Sequence, residues 1–159
     1  MANDGKKRQR PARLDPVYRA HNPELPTAVV FDKDGTLALL GGRNPYDAST
    51  CDRDPVHQPV LAMAKVLAAH YTLLIVSGRY EKFRPQTETW LANNAVQYAE
   101  LHMRPDGDNR NDAIIKAEIF RDKIAPRYNV LCAFDDRDRV VAMWRFLGVP
   151  CFQVQEGNF

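Results

Sequence analysis

The sequence has no long hydrophobic run and few cysteines, and these absences exclude several classes of protein. No apolar stretch approaches the roughly 20 residues that span a bilayer, and the first residues lack the apolar core of a secretory signal. The three cysteines, Cys51, Cys132 and Cys151, contain no Cys-x-x-Cys pair, which argues against a disulfide framework and for a reducing cytosol. With 159 residues, of which 45% are hydrophobic, one globular domain is expected.

The sequence also lacks a strong excess of either charge. Its formal net charge is +2 at pH 7, so the chain as a whole is not expected to bind polyanions strongly. Basic residues are concentrated near the start, at Lys6, Lys7, Arg8 and Arg10. Residues 1–26 are therefore expected to form a basic, flexible segment with at most a weak hold on nucleic acid. One domain over residues 27–159 follows it.

Patterns typical of strands and helices alternate along that domain, without internal repeats. The predicted strands are residues 28–31, 71–76, 95–103, 130–134 and 151–154. The predicted helices are residues 59–70, 81–93, 112–123 and 139–147, and residues 41–45 and 51–55 are predicted loops. This alternation indicates an α/β fold in which helices cover a mostly parallel sheet.

Two carboxylates follow the first predicted strand. Asp32 and Asp34 stand one residue apart, before Gly35 and Thr36. Because like charges at this range repel, a divalent metal is the simplest reason for the pair, although an Asp-Gly turn is the alternative. Asp32 is placed to attack a phosphoryl group, and Asp34 to act as general acid and base. Lys33, between them, is expected to point away from both.

A second acidic pair, Asp135 and Asp136, follows the fourth predicted strand. A cation again explains both charges, whereas a helix cap by Asp136 or Asp138 would explain only one. The carbonyl of Asp34 is expected to be a direct metal ligand together with Asp32 and one or both of these acids. Oxygen ligands without nearby Cys or His favour Mg²⁺ over Zn²⁺.

Cationic side chains accompany the acids. Ser77 and Arg79 follow the second predicted strand, where a guanidinium suits a phosphate, although a plain turn with a solvated Arg79 is the alternative. Lys116 is predicted to hold Asp32 and a phosphate together, and an exposed ion pair with Asp112, four residues earlier, is its alternative. Because the carboxyl ends of parallel strands share one edge of the sheet, these groups are expected to converge.

The order of these motifs resembles that of the haloacid dehalogenase superfamily of aspartate-nucleophile phosphatases. Further segments look like the phosphatase domain of bacteriophage polynucleotide kinase/phosphatase. They are residues 42–47, 101–104, 107–112, 134–137, 143–145, 153–154 and 157–159. The resemblance implies a Rossmann-like three-layer fold with little or no cap domain. It also implies removal of 3′-phosphates from DNA or RNA ends with Mg²⁺, through an aspartyl-phosphate.

Residue by residue, the resemblance implies Asp32 as nucleophile and Asp34 as acid and base. Asp32, Asp34, Asp135 and Asp136 would hold the metal, and Ser77, Arg79 and Lys116 would contact the phosphate. Arg43, Arg104, Arg110, Asp112 and Thr36 complete the site as candidate substrate-binding residues. A nucleotidase or other small-molecule phosphatase, and a catalytically idle nucleic-acid-binding module, remain the alternatives.

One expected feature of the phage enzyme is missing from the sequence. No Gly-x-x-x-x-Gly-Lys-Ser/Thr loop is present, so kinase activity is not expected from these residues, and a kinase on a separate chain stays open. No contact with a membrane is expected. The protein is expected in the cytoplasm, and in the host cytoplasm if a phage encodes it.

Overall fold

A five-stranded parallel sheet forms the centre of the computed structural model, which describes residues 16–44 and 47–158. Its spatial order is β3-β2-β1-β4-β5. The strands are β1 (Thr27–Phe31), β2 (Thr72–Tyr80), β3 (Glu100–Arg104), β4 (Asn129–Asp135) and β5 (Cys151–Gln153). Strand β1 lies at the centre because its run of apolar residues is buried on both faces of the sheet.

Helices cover both faces and complete three layers. The helices are α1 (Gln58–Ala68), α2 (Arg84–Asn93), α3 (Asp112–Ile119) and α4 (Asp138–Phe146). Helices α1 and α2 pack with Val29 and Phe31 on one face of the sheet, while α3 and α4 pack with Ala28 and Val30 on the other. The prediction of an α/β fold with a mostly parallel sheet and Rossmann-like layers is confirmed.

The strand order creates a switch point between β1 and β4. From β1 the chain moves outward through β2 and β3, then returns to place β4 on the other side of β1 and β5 beyond it. The two connections leave β1 and β4 in opposite directions, so their carboxyl ends border a crevice. Ligands of open α/β sheets bind at such a crevice.

Several element boundaries differ from the prediction. Strand β2 continues through Ser77–Tyr80, so Ser77 and Arg79 lie inside the strand, where its pairing with β3 is irregular. The predicted strand over residues 95–103 is wrong in its first half, because α2 ends in a turn that holds Ala95 at φ 53°. The predicted helix over residues 112–123 divides into α3 and a π-helical segment, Phe120–Ile124.

The connections are short. Between β1 and α1 the described residues form loops and one 3₁₀ helix, Cys51–Arg53, and a second 3₁₀ helix, Glu81–Phe83, precedes α2. No cap domain is present in the described part of the chain, as predicted. Among the same residues no helix is long and apolar enough to cross a membrane. Lys6, Lys7, Arg8 and Arg10, on which the expectation of a basic segment rests, lie outside the described residues.

Candidate functional site

Three buried carboxylates meet at the switch point. Asp32 directly follows β1, Asp135 is the last residue of β4, and Asp136 is the next. One carboxylate oxygen from each lies within 4.8 Å of the others. The Asp32 amide donates to Phe134 O at 3.0 Å, which continues the pairing of β1 with β4. Gly35 (φ 81°) permits the close approach, because an added Cβ would overlap the Asp136 carboxylate.

Lys116 connects these acids from α3. Its Nζ lies 2.9 Å from Asp32 Oδ1 and 2.7 Å from Asp135 Oδ2, and the side chain is 3% exposed. The alternative of an exposed ion pair between Lys116 and Asp112 is therefore wrong. Asp112 is itself buried and accepts hydrogen bonds from Arg137 and from Arg139 Nε, the latter at 2.8 Å.

Burial and charge act together on the pKa values at this cluster. Burial raises the pKa of Asp32 well above its ordinary value, and Asp135 and Asp136 add to this while Lys116 opposes it. Burial and the Asp135 charge likewise raise the pKa of Asp136. Burial works to lower the pKa of Lys116, but the Asp135 and Asp32 carboxylates raise it above its ordinary range. Lys116 is therefore a fixed positive charge.

The donor set fits a divalent cation of the Mg²⁺ type. Three carboxylates surround one ammonium, so a charge near −2 stays uncompensated when all three acids are ionised. A buried excess charge of this size is unfavourable unless a cation or protons neutralise it. The cluster contains only oxygen donors, which Mg²⁺ prefers.

The Asp34 carboxylate lies outside this cluster. It accepts hydrogen bonds from the Arg79 guanidinium, including one from Nε at 3.0 Å, and from Arg43 Nη2 at 3.1 Å. Lys33 Nζ approaches it at 3.4 Å. The structure thus separates the two acids of the first motif: Asp32 faces Lys116, and Asp34 faces the arginines. Only the Asp34 carbonyl remains available for its predicted part in holding a metal.

Asp54 organises the cations around Asp34, and the sequence analysis did not identify it. Its carboxylate accepts from Lys33 Nζ at 2.5 Å and from Arg43 Nε and Nη2 at 2.7 and 2.8 Å. Burial works to raise the pKa of Asp54, but the hydrogen bonds from Arg43 and Lys33 lower it below its usual value. Trp90 Nε1 donates to the Asp54 carbonyl at 2.8 Å, which fixes the loop to α2.

Lys33 departs from its predicted orientation. Its side chain is fully buried and its Nζ lies 5.0 Å from the centroid of the Trp90 ring. Alternation along the extended segment does turn Lys33 away from Asp32, but its long side chain still brings Nζ to 3.4 Å from the neighbouring Asp34 carboxylate. Lys33 and Asp54 are 21 residues apart, so no local pattern in the sequence indicates their contact.

Arg79 and Ser77 are buried near Asp34. Arg79 Nη1 donates to Thr87 Oγ1 at 2.9 Å and also contacts Cys51 Sγ, so its guanidinium is fully engaged within the protein. Ser77 Oγ accepts from the Arg79 amide at 3.2 Å. The alternative of a solvated Arg79 is wrong, because its side chain is 3% exposed. Its contact with a phosphate stays a prediction.

The remaining predicted substrate-binding residues occupy different surroundings. Arg43 lies with Asp34 and Asp54, and Asp112 packs against Gly78. Arg104 is buried and donates to the carbonyls of Gly78, Asp108 and Arg110 at 2.6–2.8 Å. Arg110 is exposed and pairs with Asp108 and Glu118. Thr36 is completely buried, and its hydroxyl has no hydrogen-bond partner among the described residues.

The segment of residues 153–158 connects the two acidic turns. Gln155 Nε2 donates to the Gly35 carbonyl at 2.7 Å, and Gln153 Nε2 donates to the Asp136 carbonyl at 2.8 Å. Gly157 is buried against the turn after β4, where an added Cβ would overlap the Asp136 carbonyl. No local pattern in the sequence indicates this role, although the resemblance includes residues 153–154 and 157–159.

Comparisons with known proteins agree with this geometry. The family profile described as "Polynucleotide kinase PNKP phosphatase domain", of the haloacid dehalogenase type, matches residues 26–159. The "Putative bifunctional polynucleotide kinase/RNA ligase" of Autographa californica nuclear polyhedrosis virus is 35% identical over 131 residues. That alignment covers 80% of this chain and 19% of the viral protein.

Two solved structures are similar at the level of both sequence and fold. A chain from "Structure of the Pnkp1/Rnl/Hen1 RNA repair complex" matches with a TM-score of 0.91 and 43% identity, covering 93% of this chain and 48% of that one. A chain from "Structure of Pnkp1/Rnl/Hen1 complex" matches with a TM-score of 0.90 and 43% identity, covering 93% and 52%. The present chain therefore spans about half the length of these structural relatives and about a fifth of the viral one.

Proposed function

The chain belongs to the family of polynucleotide kinase PNKP phosphatase domains, and from this premise we propose that it removes the terminal phosphate from 3′ ends of DNA or RNA strands. The observation that carries the proposal is the contact of Lys116 with both Asp32 and Asp135 at the switch point of the sheet. It holds one carboxylate ready for attack, beside two more acids suited to a metal.

Two displacements on phosphorus make up the proposed reaction. In the first, an Asp32 oxygen attacks the phosphorus, the bond from phosphorus to the 3′ oxygen breaks, and Asp34 gives a proton to that oxygen. In the second, water attacks the aspartyl-phosphate while Asp34 takes a proton from it, which restores Asp32 and releases inorganic phosphate. Lys116 orients Asp32 in both steps.

Mg²⁺ is the cofactor that we propose for this site. Asp32, Asp135, Asp136 and the Asp34 carbonyl would hold it, and its charge would offset the negative charges of the phosphate and the carboxylates. The Arg79 and Arg43 guanidiniums position the Asp34 carboxylate, which the structure keeps apart from the cluster. This division sets Asp34 apart from the proposed metal site, and we propose that it is the residue that transfers the proton.

The open surroundings of the site support a polymer end as substrate. In the described residues no cap domain lies over the carboxyl ends of β1 and β4. The titles of the two structural relatives name an RNA repair complex and its components, and the viral relative's name includes a kinase and an RNA ligase. We therefore propose a role in nucleic-acid end repair in the cytoplasm.

The decisive assay compares a 3′-phosphorylated oligonucleotide with nucleoside 3′- and 5′-monophosphates, with Mg²⁺ and with EDTA. We expect the oligonucleotide to release phosphate with the lowest KM of the three substrates. This advantage in KM should shrink as the salt concentration rises, because counterion release then contributes less to binding. Activity after complete removal of divalent metal would contradict the cofactor assignment. Equal kcat/KM for mononucleotides and oligonucleotides at low salt would favour a nucleotidase.

Asp32→Asn provides the matching test of the nucleophile. We expect kcat to fall by about 10³-fold or more while the fold is retained, because an amide does not form the acyl phosphate. Asp52→Asn, at a half-buried position of the 3₁₀ helix Cys51–Arg53 and outside the acidic cluster, is the control and should keep wild-type turnover. Mass spectrometry of the Asp32→Asn protein excludes deamidation as a source of residual activity.

A further inference from the structure

A small recess lies beside the proposed site, at the outer end of β2. It is lined by Tyr80, Lys82, Asp106, Gly107 and Asn109 and encloses about 220 Å³. None of these five residues belongs to the machinery assigned above. Tyr80 directly follows Arg79, and the other side of the recess is the loop between β3 and α3. The recess therefore borders the site without contributing to its reactive groups.

The Tyr80 ring is held in a fixed position. Its hydroxyl donates to Asn109 Oδ1, and the residue pairs with Arg104 across β2 and β3. The Arg104 guanidinium carbon lies 5.6 Å from the ring centroid and is itself fixed by three backbone carbonyls. A half-buried aromatic ring that is already ordered loses little conformational entropy when a flat ligand stacks on it.

An exposed cation accompanies the ring. Lys82 Nζ lies 5.6 Å from the Tyr80 centroid and 5.0 Å from the Phe83 centroid. Among the described residues no carboxylate lies within ion-pairing distance of that Nζ. Its long stem can move aside from the ring while the ammonium reaches a neighbouring phosphate. An aromatic face beside a free cation is the arrangement with which proteins bind single-stranded nucleic acid.

The position of the recess indicates which nucleotide it would meet. Phe31 pairs with Ile75, so Asp32 is level with Val76, and Tyr80 lies four residues further along β2. That separation is at most about 13 Å along the strand, at about 3.3 Å per residue. If a 3′-terminal phosphate binds at Asp32, the recess lies beyond the terminal nucleoside of the strand and within reach of the penultimate one.

We propose that this recess binds the penultimate nucleobase of a strand whose 3′-terminal phosphate occupies the site, with the base stacked on Tyr80 and Lys82 near the adjoining phosphodiester. This inference rests on the proposed 3′-phosphatase function and names the part of the substrate that gives a polymer its advantage. Asn109 and Asp106 offer an amide and a carboxylate to the edge of the base. The minimal substrate that benefits is a dinucleotide.

The test compares a nucleoside 3′-monophosphate with a 3′-phosphorylated oligonucleotide, intact or abasic at the penultimate position, in wild-type protein and in Tyr80→Ala, Tyr80→Phe and Lys82→Ala. Tyr71→Ala, before the opposite end of β2, is the matched control. For Tyr80→Ala we expect kcat/KM for the intact oligonucleotide to fall by about 10-fold, mostly through KM, since base stacking contributes roughly 1–3 kcal/mol.

The expected pattern is specific to a base-binding role. The mononucleotide reaction of Tyr80→Ala should stay within about twofold of wild type, and Tyr80→Phe should retain the oligonucleotide preference because it keeps the ring. Lys82→Ala should raise the oligonucleotide KM and reduce its dependence on salt. For wild-type protein, kcat/KM should be lower with the abasic oligonucleotide than with the intact one. For Tyr80→Ala, the two oligonucleotides should have equal kcat/KM.

Other outcomes overturn the inference in distinguishable ways. Equal loss by Tyr80→Ala on mononucleotide and oligonucleotide would mean that Tyr80 supports the site structurally, and no loss on either would mean that the recess is unused. Both results overturn the base-binding inference and leave the phosphatase function standing. Hydrolysis of neither substrate by wild-type protein would overturn the proposed function and the inference together.

Discussion

At the scale of single residues, the separation of Asp32 from Asp34 depends on where their cations come from. Asp32 meets Lys116 from α3, whereas Asp34 meets Arg79 from β2 and Arg43 from the loop after β1. Buried cations of this kind need their own anion, which Asp54 supplies to Lys33 and Arg43. Asp54 is therefore a positioning residue: it touches no reacting atom in the proposed reaction and acts through the cations.

Asp54→Asn tests that role. We expect the free energy of unfolding to fall by about 3 kcal/mol, since the change removes the charged partner of a fully buried lysine. We also expect kcat to fall by about 10²-fold with little change in KM, because a small displacement of the acid and base is costly for proton transfer. Urea denaturation and steady-state kinetics at a temperature where the variant is folded measure the two effects.

Asp52→Asn is the control for this prediction as well, and surface changes of this kind usually alter stability by less than about 0.5 kcal/mol. A positioning role further requires kcat to fall by more than the unfolded fraction of Asp54→Asn explains. Activity that is lost only in proportion to unfolded protein would mean that Asp54 has a purely structural role.

At the scale of elements, the geometry of the acidic cluster depends on segment 153–158 as well as on the other strands. The strands deliver Asp32 and Asp135 to one edge, but Asp136 lies in the turn before α4, beyond the last strand pairing. The Gln153 side chain donates to the Asp136 carbonyl of that turn, and the Gln155 side chain donates to the Gly35 carbonyl. The Asp138 amide donates to the Gly157 carbonyl at 3.0 Å. The segment thus limits how far the two turns can separate.

Gly157→Ala should disturb this arrangement. Its Cβ would overlap the Asp136 carbonyl, so the turn or the segment must shift, at a cost of about 1–3 kcal/mol in stability. Because the displaced residue is a candidate metal ligand, the Mg²⁺ concentration for half-maximal activity should rise several-fold. Glu156→Ala changes the exposed neighbour and should alter neither quantity. Unchanged Mg²⁺ dependence in a folded Gly157→Ala protein would contradict the proposed coupling.

At the scale of the whole molecule, the parallel sheet gathers like charges in a buried crevice, where little water is present to screen their repulsion. Three carboxylates and one lysine are gathered at the crevice between β1 and β4, with helices covering both faces of the sheet. Burial and mutual repulsion raise the pKa of both Asp32 and Asp136. A bound cation would relieve this repulsion in the folded protein alone, because the unfolded chain holds no such cluster.

Divalent cations should therefore stabilise the fold. At Mg²⁺ ten times above its Kd, linkage gives about 1.4 kcal/mol, which corresponds to a rise in Tm of roughly 3–6 °C for a chain of this size. Asp136→Asn should remove most of that rise, and Asp52→Asn should keep it. Thermal denaturation in MgCl₂, in EDTA and in NaCl of matched ionic strength separates binding from screening. Equal Tm in all three would contradict a cation site.

The sequence by itself determined the elements and the chemistry that they carry. Continuous apolar runs that end on Asp32 and Asp135 predicted a parallel sheet with acids at one edge, because a buried strand needs no polar alternation and its end reaches solvent first. The predicted helix over residues 112–123 carries Ile115 and Ile119 four residues apart on one face, and both are buried in the structure. The spacing of apolar residues within a helix or a strand involves only nearby residues, so it can be recognised in the sequence.

Only the tertiary structure decided which charge meets which. Lys33 and Asp54 are 21 residues apart, Lys116 and Asp135 are 19 apart, and Arg79 and Asp34 are 45 apart. Which cation meets which acid depends on the order of the strands and on the face of the sheet that each side chain takes. Ion pairs between distant residues follow from the fold, since the spacing of charged residues along the sequence does not indicate which of them will pair.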